Sequence, residues 1–335
     1  MKKIIYIPPA FKIKKKTIVN LIICIFYDFK TLIKNIFKKE FLTNSTSSYL
    51  EQSLRMNFKV LEIPYSYSLL FRKYINNNFE GIFINFKFSN QHGPDLNIEK
   101  KLLKLSEKFN IKKVLVDPRD TQNLYSKNIY DNFDLIIQRE KSKNEKSNKI
   151  FSTMLPCTAI TNKTFKLDKI QWEKVGYQTP NDNFKYDIFF SGKDTNPNRK
   201  IIIEKIKNKD FNYVGNINDK KIPYEDYMKY IYNSSINLAL DGVGTFTFRH
   251  LEIIANCSFL LCSSKINSLE LPIPFQDGKD YITFNGIEDL FEKIEFYLKN
   301  KKIRQEISLN ARNTLEKYYS PKKHGKEILN KLYYS

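Results

Sequence analysis

Twice along this chain, short runs of β-branched and aromatic residues alternate with segments of helical period, and that alternation restricts the fold more than any other feature. From residue 79, "FEGIFINFKF" reads as a strand, "IEKKLLKLSEKF" as an amphipathic helix, "IKKVLVDP" as a strand ending in Asp-Pro and "NFDLIIQRE" as another short strand. From residue 186 the pattern starts again. "YDIFFSG" is a strand running into a glycine turn, "NRKIIIEKIKN" a helix, "FNYVGN" a strand and "YEDYMKYIYNSS" a helix. "INLALDGVG" is then a strand ending in two glycines, "TFRHLEIIAN" a helix and "SFLLCSS" a buried strand, ahead of a helical tail. Parallel strands need crossover connections, which helices supply, so the expected class is α/β with two successive Rossmann-like halves. "KKIIYI" at the start reads as a further buried strand, and "KSKNEKSNK" at 141–149 as a surface loop or a solvated helix.

With 335 residues, 41% hydrophobic and 14% aromatic, the chain is neither disordered nor a small disulfide scaffold. Fifty-six basic residues against 36 acidic ones leave a net +20, a balance that raises nucleic acid or anionic membrane as a partner. Only eight of the basic residues are Arg, and the chain is crowded with Lys, Asn, Ile, Phe and Tyr, the profile AT-rich codons produce in any protein. No nucleic-acid recognition module is readable and the lysines are spread over the whole length, which argues against a nucleic-acid partner. Cys24, Cys157, Cys257 and Cys262 with His92, His250 and His324 make no zinc spacing, and the absence of a secreted-type cysteine framework leaves a reducing cytoplasm as the expectation.

The first 42 residues concentrate ten lysines against Asp28 and Glu40, a net +8. Within them Ile22, Ile25, Phe26, Phe29, Leu32, Ile33 and Ile36 form an apolar stripe at helical spacing, with Lys30, Lys34 and Lys38 on the other side. Two interpretations stand: a core-packed helix with a solvated lysine face, or an interfacial helix on an anionic membrane surface, here the inner face of the plasma membrane. Leu21–Phe26, the longest apolar run near the start, is far below the roughly 20 residues that span a bilayer, and no signal-peptide cleavage site follows it.

In open parallel sheets ligands bind beyond the carboxyl ends of the strands. Four such places carry candidate chemistry. At 240–264, Gly242 and Gly244 lie between a strand and a helix, where backbone N–H groups can approach a phosphate, and Thr245 can cap the helix or donate to a phosphate oxygen. Arg249 and Glu252 follow at i, i+3 on that helix: a guanidinium suits a diphosphate and a carboxylate a pair of sugar hydroxyls, while the plain alternative is an intrahelical ion pair. His250 is expected to be packed rather than catalytic. Gly192 and Lys193, with Asn198 and Arg199 on the next helix, form a second place that suits phosphate or is simply a strand-to-helix turn. Asp117 and Asp120 in "VDPRD" are candidate general bases, with helix capping as the competing role for Asp120, and His92 in "NQHGPD" is a third candidate base.

The string "FRHLEIIANCSFLLCSS", followed by "PFQDGKDYITFNGIEDLFEKIEFYLKNKKIRQEISLNARNTLEKYYS", resembles the C-terminal domain of GT-B glycosyltransferases, in the branch named for the CgeB spore-maturation proteins and the glycosyltransferase family 1 type. "YDIFFSGK" with Arg199, and "KKVLVDPRD" with "YDNFDLIIQRE", are similar to the upstream parts of that family. The resemblance implies two Rossmann-like domains facing each other across a cleft. These would be an acceptor-side domain over 1–155, a connection over 156–183 containing Trp172, a nucleotide-sugar domain over 184–320, and a final helix in 321–335 that packs back on the first domain. It implies transfer of a sugar from a nucleotide sugar to a glycan or lipid-linked acceptor, in surface polysaccharide or glycolipid synthesis. No cofactor is implied beyond the donor itself. Arg249 would then bind the diphosphate and Glu252 the ribose. No Asp-x-Asp occurs in the sequence, which favours a metal-independent GT-B site over the GT-A type. Cys257 stands where many GT-B enzymes have glycine, and Gly244 occupies the position eight before Glu252, which leaves retaining and inverting chemistry both open.

Overall fold

The computed structural model describes residues 2–7, 48–63, 78–85, 104, 106–123, 127–157, 177, 179–217 and 222–334. The chain divides into two compact units, one formed by Met1–Leu155 with Pro321–Ser335 and the other by Pro156–Ser320. His92, the basic segment 8–42 and Trp172 lie outside the described residues.

The first unit is built on a six-stranded parallel sheet in the order β2-β1-β3-β4-β5-β6. Its strands are β1 (Lys2–Ile7), β2 (Phe58–Glu62), β3 (Gly81–Asn85), β4 (Lys112–Asp117), β5 (Leu135–Gln138) and β6 (Ile150–Ser152), with helix α1 (Ser48–Asn57) between β1 and β2 and the short α2 (Lys127–Tyr130) between β4 and β5. The period of two in these strands sorts their side chains onto two cores. Ile4, Tyr6, Phe83, Val114, Val116, Leu135 and Ile137 pack on Leu50 and Leu54 of α1. Ile5, Ile7, Ile82, Ile84, Leu115 and Ile136 pack with Tyr130 and Phe133 on the opposite face. The α1 and β2 region gave no pattern strong enough to read from sequence, and the polar 141–149 segment is turns and loop.

The second unit repeats the design with β7 (Tyr186–Phe189), α3 (Pro197–Lys207), β8 (Tyr213–Val214), α4 (Tyr224–Tyr232), β9 (Ser234–Ala239), α5 (Phe248–Ala255), β10 (Leu260–Ser263), β11 (Ile282–Phe284), α6 (Ile287–Lys299) and α7 (Lys301–Tyr318). Its five parallel strands run β11-β10-β9-β7-β8. Counted from β7 this is the order 2-1-3-4-5, whose reversal of winding falls between β7 and β9. Helix α3 starts where Asn196 accepts from Asn198 N–H and Pro197 takes the first helical position, a residue pair suited to a helix entry. The tail is broken into α6 and α7 at Asn300 and ends with α8 (Pro321–Tyr334), which places Ile328 and Leu332 against the α1 side of the first unit's sheet.

Candidate functional site

The loops 190–196 and 240–247 leave the sheet at the β7/β9 reversal, where sheets of this order bind ligands in a crevice. Arg199, 5% exposed, spans the base of that crevice. Its Nε donates to Asp241 O at 2.7 Å, Nη1 to Lys193 O at 2.6 Å and Nη2 to Leu240 O at 2.9 Å, so one guanidinium ties both loops together. Burial, and then the neighbouring charge of Arg249, push its pKa down to about 10. A side chain with three donors committed to carbonyls acts first as a brace, a role that the sequence pattern alone did not separate from phosphate contact.

Arg249 sits in the first turn of α5 and lies over the same aromatic ring as Arg199. The two guanidinium carbons are 4.5 Å and 5.6 Å from the Phe190 ring centroid, respectively, and Arg249 Nη2 donates to Ser191 O. Two like charges beside one ring attract anions more strongly than either alone, and the ring face offsets part of their burial. Buried Arg249 Nε finds no protein acceptor among the described residues. The two loop glycines make this packing feasible by lacking a Cβ: at Gly192 one would lie 2.7 Å from Arg249 Nη2, and at Gly242 one would lie 2.8 Å from Arg199 Nη2. Gly242 N–H also closes a tight turn onto Gly244 O at 2.9 Å. Gly215, at φ +123, is required for a different reason, since a Cβ there would overlap the Phe190 carbonyl.

Glu252 lies one turn along α5 and is buried. Tyr227 of α4 packs edge-on to Phe189, with ring centroids 5.5 Å apart, and lies near enough to Arg249 and Glu252 for both charges to act on its phenol. Burial, above all, raises the Tyr227 pKa, so the phenol stays protonated.

The cap of α5 is Thr247, not Thr245. Thr247 and His250 form a capping box, with Thr247 N–H donating to His250 Nδ1 at 3.2 Å. His250 is 1% exposed, and burial together with Arg249 lowers its pKa to about 3, which makes it a neutral structural group. Cys257, just past α5, has φ +50, the left-handed conformation that favours glycine. Lys193 is exposed beside the crevice, and Val243 projects from the Gly242–Gly244 turn. On the α3 side of Arg199 a pocket of about 300 Å³ opens between the N-termini of α3 and α6, with Leu240, Phe284 and Ile287 among its walls and a Lys265–Asp241 ion pair of 3.4 Å at its edge.

In the first unit, Asp117 ends β4 and is 1% exposed. Its carboxylate accepts from Arg119 Nε at 2.8 Å and Nη2 at 2.7 Å, and from the Tyr130 hydroxyl at 3.4 Å. Asp120 is ion-paired with buried Arg139, but its side chain is 43% exposed. Among the described residues no group of three His, Cys, Asp or Glu side chains is placed to hold a metal ion, and no helix is long and apolar enough to cross a membrane.

Comparison with known proteins gives three findings. Residues 199–330, less than half of the chain, match the family model described as glycosyl transferase-like. No curated protein matches the sequence. Among solved structures, an alpha-glucosyltransferase in complex with UDP and a 13-mer DNA containing a central A:G mismatch is 14% identical, with a TM-score of 0.56 over 99% of each chain. An alpha-glucosyltransferase in complex with UDP-glucose and DNA containing an abasic site is 15% identical, with a TM-score of 0.51 over 99% of each chain. Anabaena HepE in complex with UDP and glucose is 8% identical, with a TM-score of 0.54 over 99% of this chain and 100% of the other. At these identities the likeness is one of fold, and the fold is that of GT-B glycosyltransferases: two parallel sheets with surrounding helices.

Proposed function

We propose that the chain is a glycosyltransferase that moves a sugar from a nucleoside-diphosphate sugar to a hydroxyl acceptor. The observation that carries this is the placement of Arg249 and Glu252 on one face of α5 at the β7/β9 reversal, with Arg199 bracing the loops on either side. When the bond from the sugar's anomeric carbon to the diphosphate oxygen breaks, its electron pair stays on that oxygen. The Arg249 guanidinium, the N-terminal end of α5 and exposed Lys193 supply positive charge where this negative charge grows. Glu252 takes the ribose hydroxyls, and Gly192, Gly242, Gly244 and Thr245 line the approach. The acceptor oxygen forms the new bond to the anomeric carbon and loses its proton; in inverting chemistry a base takes that proton, and Asp117, Asp120 and His92 are the candidates. Of the candidates, Asp120 has the more exposed carboxylate, whereas Asp117 is held by Arg119 and Tyr130.

The structures similar in fold hold UDP or UDP-glucose, which supports a uridine nucleotide sugar as the first donor to try. A glycan or lipid-linked acceptor, in surface polysaccharide or glycolipid synthesis, is the first acceptor class. A second class has its own support: the alpha-glucosyltransferase structures contain DNA, one of them with an HMU base, and this chain carries a net +20. The test is a thermal-shift screen of nucleotide sugars, followed by transfer of the stabilising sugar to glycan, glycolipid and hydroxylated-base DNA. A donor at ~100 times its dissociation constant should stabilise the fold by about 2.7 kcal/mol. No shift with any donor sinks the proposal. Arg249→Ala should keep the fold and lose most activity, and an unchanged donor affinity in that variant would remove Arg249 from the site.

A further inference from the structure

We propose that Arg139 is a positioning residue that holds Asp120 as the base for the acceptor hydroxyl; this rests on the sugar transfer proposed above and commits that transfer to inversion. Asp120 follows the carboxyl end of β4 and Arg139 that of β5, neighbouring strands of the first unit's sheet. The Arg139 side chain is buried, and its Nη2 makes an ion pair with Asp120 Oδ1. Its backbone is fixed on both sides: Arg139 N–H donates to Asp117 O at 3.0 Å, and Gln138 O accepts from Thr153 N–H at 2.9 Å. A half-exposed loop carboxylate is thereby tied to a side chain whose root is stitched to the strands on either side. Arg139 Nε is buried and has no hydrogen-bond partner among the described residues, so burying this guanidinium costs free energy that an ion pair to a half-exposed carboxylate does not offset. The pair is therefore poorly explained as a stabilising contact. Asp120 has no capping duty either, because the next described helix, α2, starts only at Lys127.

Arg139 meets a second carboxylate as well, with Nη2 3.5 Å from Glu140 Oε1. One guanidinium shared by two carboxylates steadies Asp120 without neutralising it, so Asp120 keeps the charge that takes up a proton. Asp117, the acid that ends β4, is engaged instead by Arg119 Nε at 2.8 Å and Nη2 at 2.7 Å. As the acceptor oxygen bonds to the anomeric carbon, its proton passes to the Asp120 carboxylate, and the electron pair of the breaking bond stays on the diphosphate oxygen. A base separate from the leaving diphosphate serves attack from the opposite face of the sugar, so an α-linked donor yields a β-linked product.

The experiment incubates the full chain with UDP-glucose, UDP-galactose, UDP-N-acetylglucosamine or GDP-mannose, with water as the acceptor. Release of nucleoside diphosphate is followed as a function of pH, with donor affinity and a thermal melt for each variant. Asp120→Asn should lose at least ~100-fold in kcat with donor affinity unchanged. Arg139→Gln should lose about tenfold in kcat, keep KM for the donor, and move the acid limb of the pH profile to higher pH, because a carboxylate without its cation holds its proton more tightly. Arg139→Lys keeps the charge but not the planar fork; it should leave the limb in place and still lose about threefold in kcat, and it carries the test if Arg139→Gln does not fold. The sugar first released, read by NMR before its anomers equilibrate, should have the configuration opposite to the donor's. A retained anomer, full activity in Asp120→Asn, an unchanged kcat in Arg139→Lys, or an Arg139→Gln defect in stability with no shift of the limb would each overturn the role of Arg139 while leaving the donor site in place. Donor binding without hydrolysis would do the same, since a base held ready for a hydroxyl also serves water. A wild type that binds none of the four donors overturns the proposed function, and the role of Arg139 with it.

Discussion

Gly192 has no side chain to spare because the Arg249 guanidinium occupies its place: a Cβ on Gly192 would lie 2.7 Å from Arg249 Nη2. The glycine after β7 therefore serves the arginine of α5, 57 residues later, and does so with no unusual φ of its own. Gly192→Ala should push Arg249 off Ser191 O and Phe190, weakening nucleoside diphosphate binding about tenfold. The check is a UDP titration paired with a thermal melt, and a variant with lower stability but intact affinity would contradict it.

Arg199 and Arg249 should separate in experiment. Removing Arg199 leaves the carbonyls of Lys193, Leu240 and Asp241 without its donors, at a cost of about 1–3 kcal/mol for each group that stays buried and unsatisfied. Arg199→Ala should thus lower the urea midpoint of the second unit, whereas Arg249→Ala should lower donor binding with little change in that midpoint. A stable Arg199→Ala protein would refute the bracing role.

His324 of α8 is 3% exposed, stacked against Phe151 and near Tyr49 with ring centroids 5.2 Å away in each case, and neither ring nitrogen has a hydrogen-bond partner among the described residues. Burial alone lowers its pKa to about 3, against 6.5 when unfolded. The neutral ring is favoured in the folded state, so the full stability is present above pH 6.5 and is lost as pH falls through 6.5 toward 3, where the unfolded chain binds the extra proton. His250 adds a loss of the same sign in the second unit. Urea midpoints measured between pH 7 and 5 should fall with acid, and His324→Phe should flatten part of that slope and raise stability at neutral pH. An unchanged slope in the variant would exclude His324 as a source.

Gly325 places α8 directly on α1, since a Cβ there would overlap Ser53 O and Asn57 Nδ2. Asn57 Nδ2 also donates to Lys322 O at 3.1 Å. Gly325→Ala should destabilise the first unit by about 1–3 kcal/mol, or more if the helix must lift. Limited proteolysis should then cut near 320 faster than in wild type, and equal protection would show that the helices give way without cost.

Much of the second unit was legible before any coordinates, because its elements carry local signals. Asn196-Pro197 opens α3, buried "INLAL" with two following glycines ends β9 at a site-forming loop, and the i, i+3 spacing alone put Arg249 beside Glu252. The first unit was less legible. Helix α1 and strand β2 carry no strong period in "SYLEQSLRMNFKVLE", and they are settled by packing on β1 and by α8, which arrives from the far end of the chain. Thr247 rather than Thr245 caps α5 because the reciprocal contact with His250 needs the three-residue spacing, a choice between two threonines that composition does not make.

Alternation, turn residues and spacing, all properties of near neighbours, were sufficient to determine two parallel α/β units and the helix that bears Arg249 and Glu252. Tertiary structure alone decided what each polar group does there. It turned Arg199 into a brace across two loops, locked Asp117 against Arg119 and Tyr130, and set the Arg249 guanidinium over the Phe190 ring. The physical reason is that a hydrogen bond or ion pair depends on distance and burial between residues remote in sequence, whereas secondary structure depends on torsions and periods that the sequence states locally.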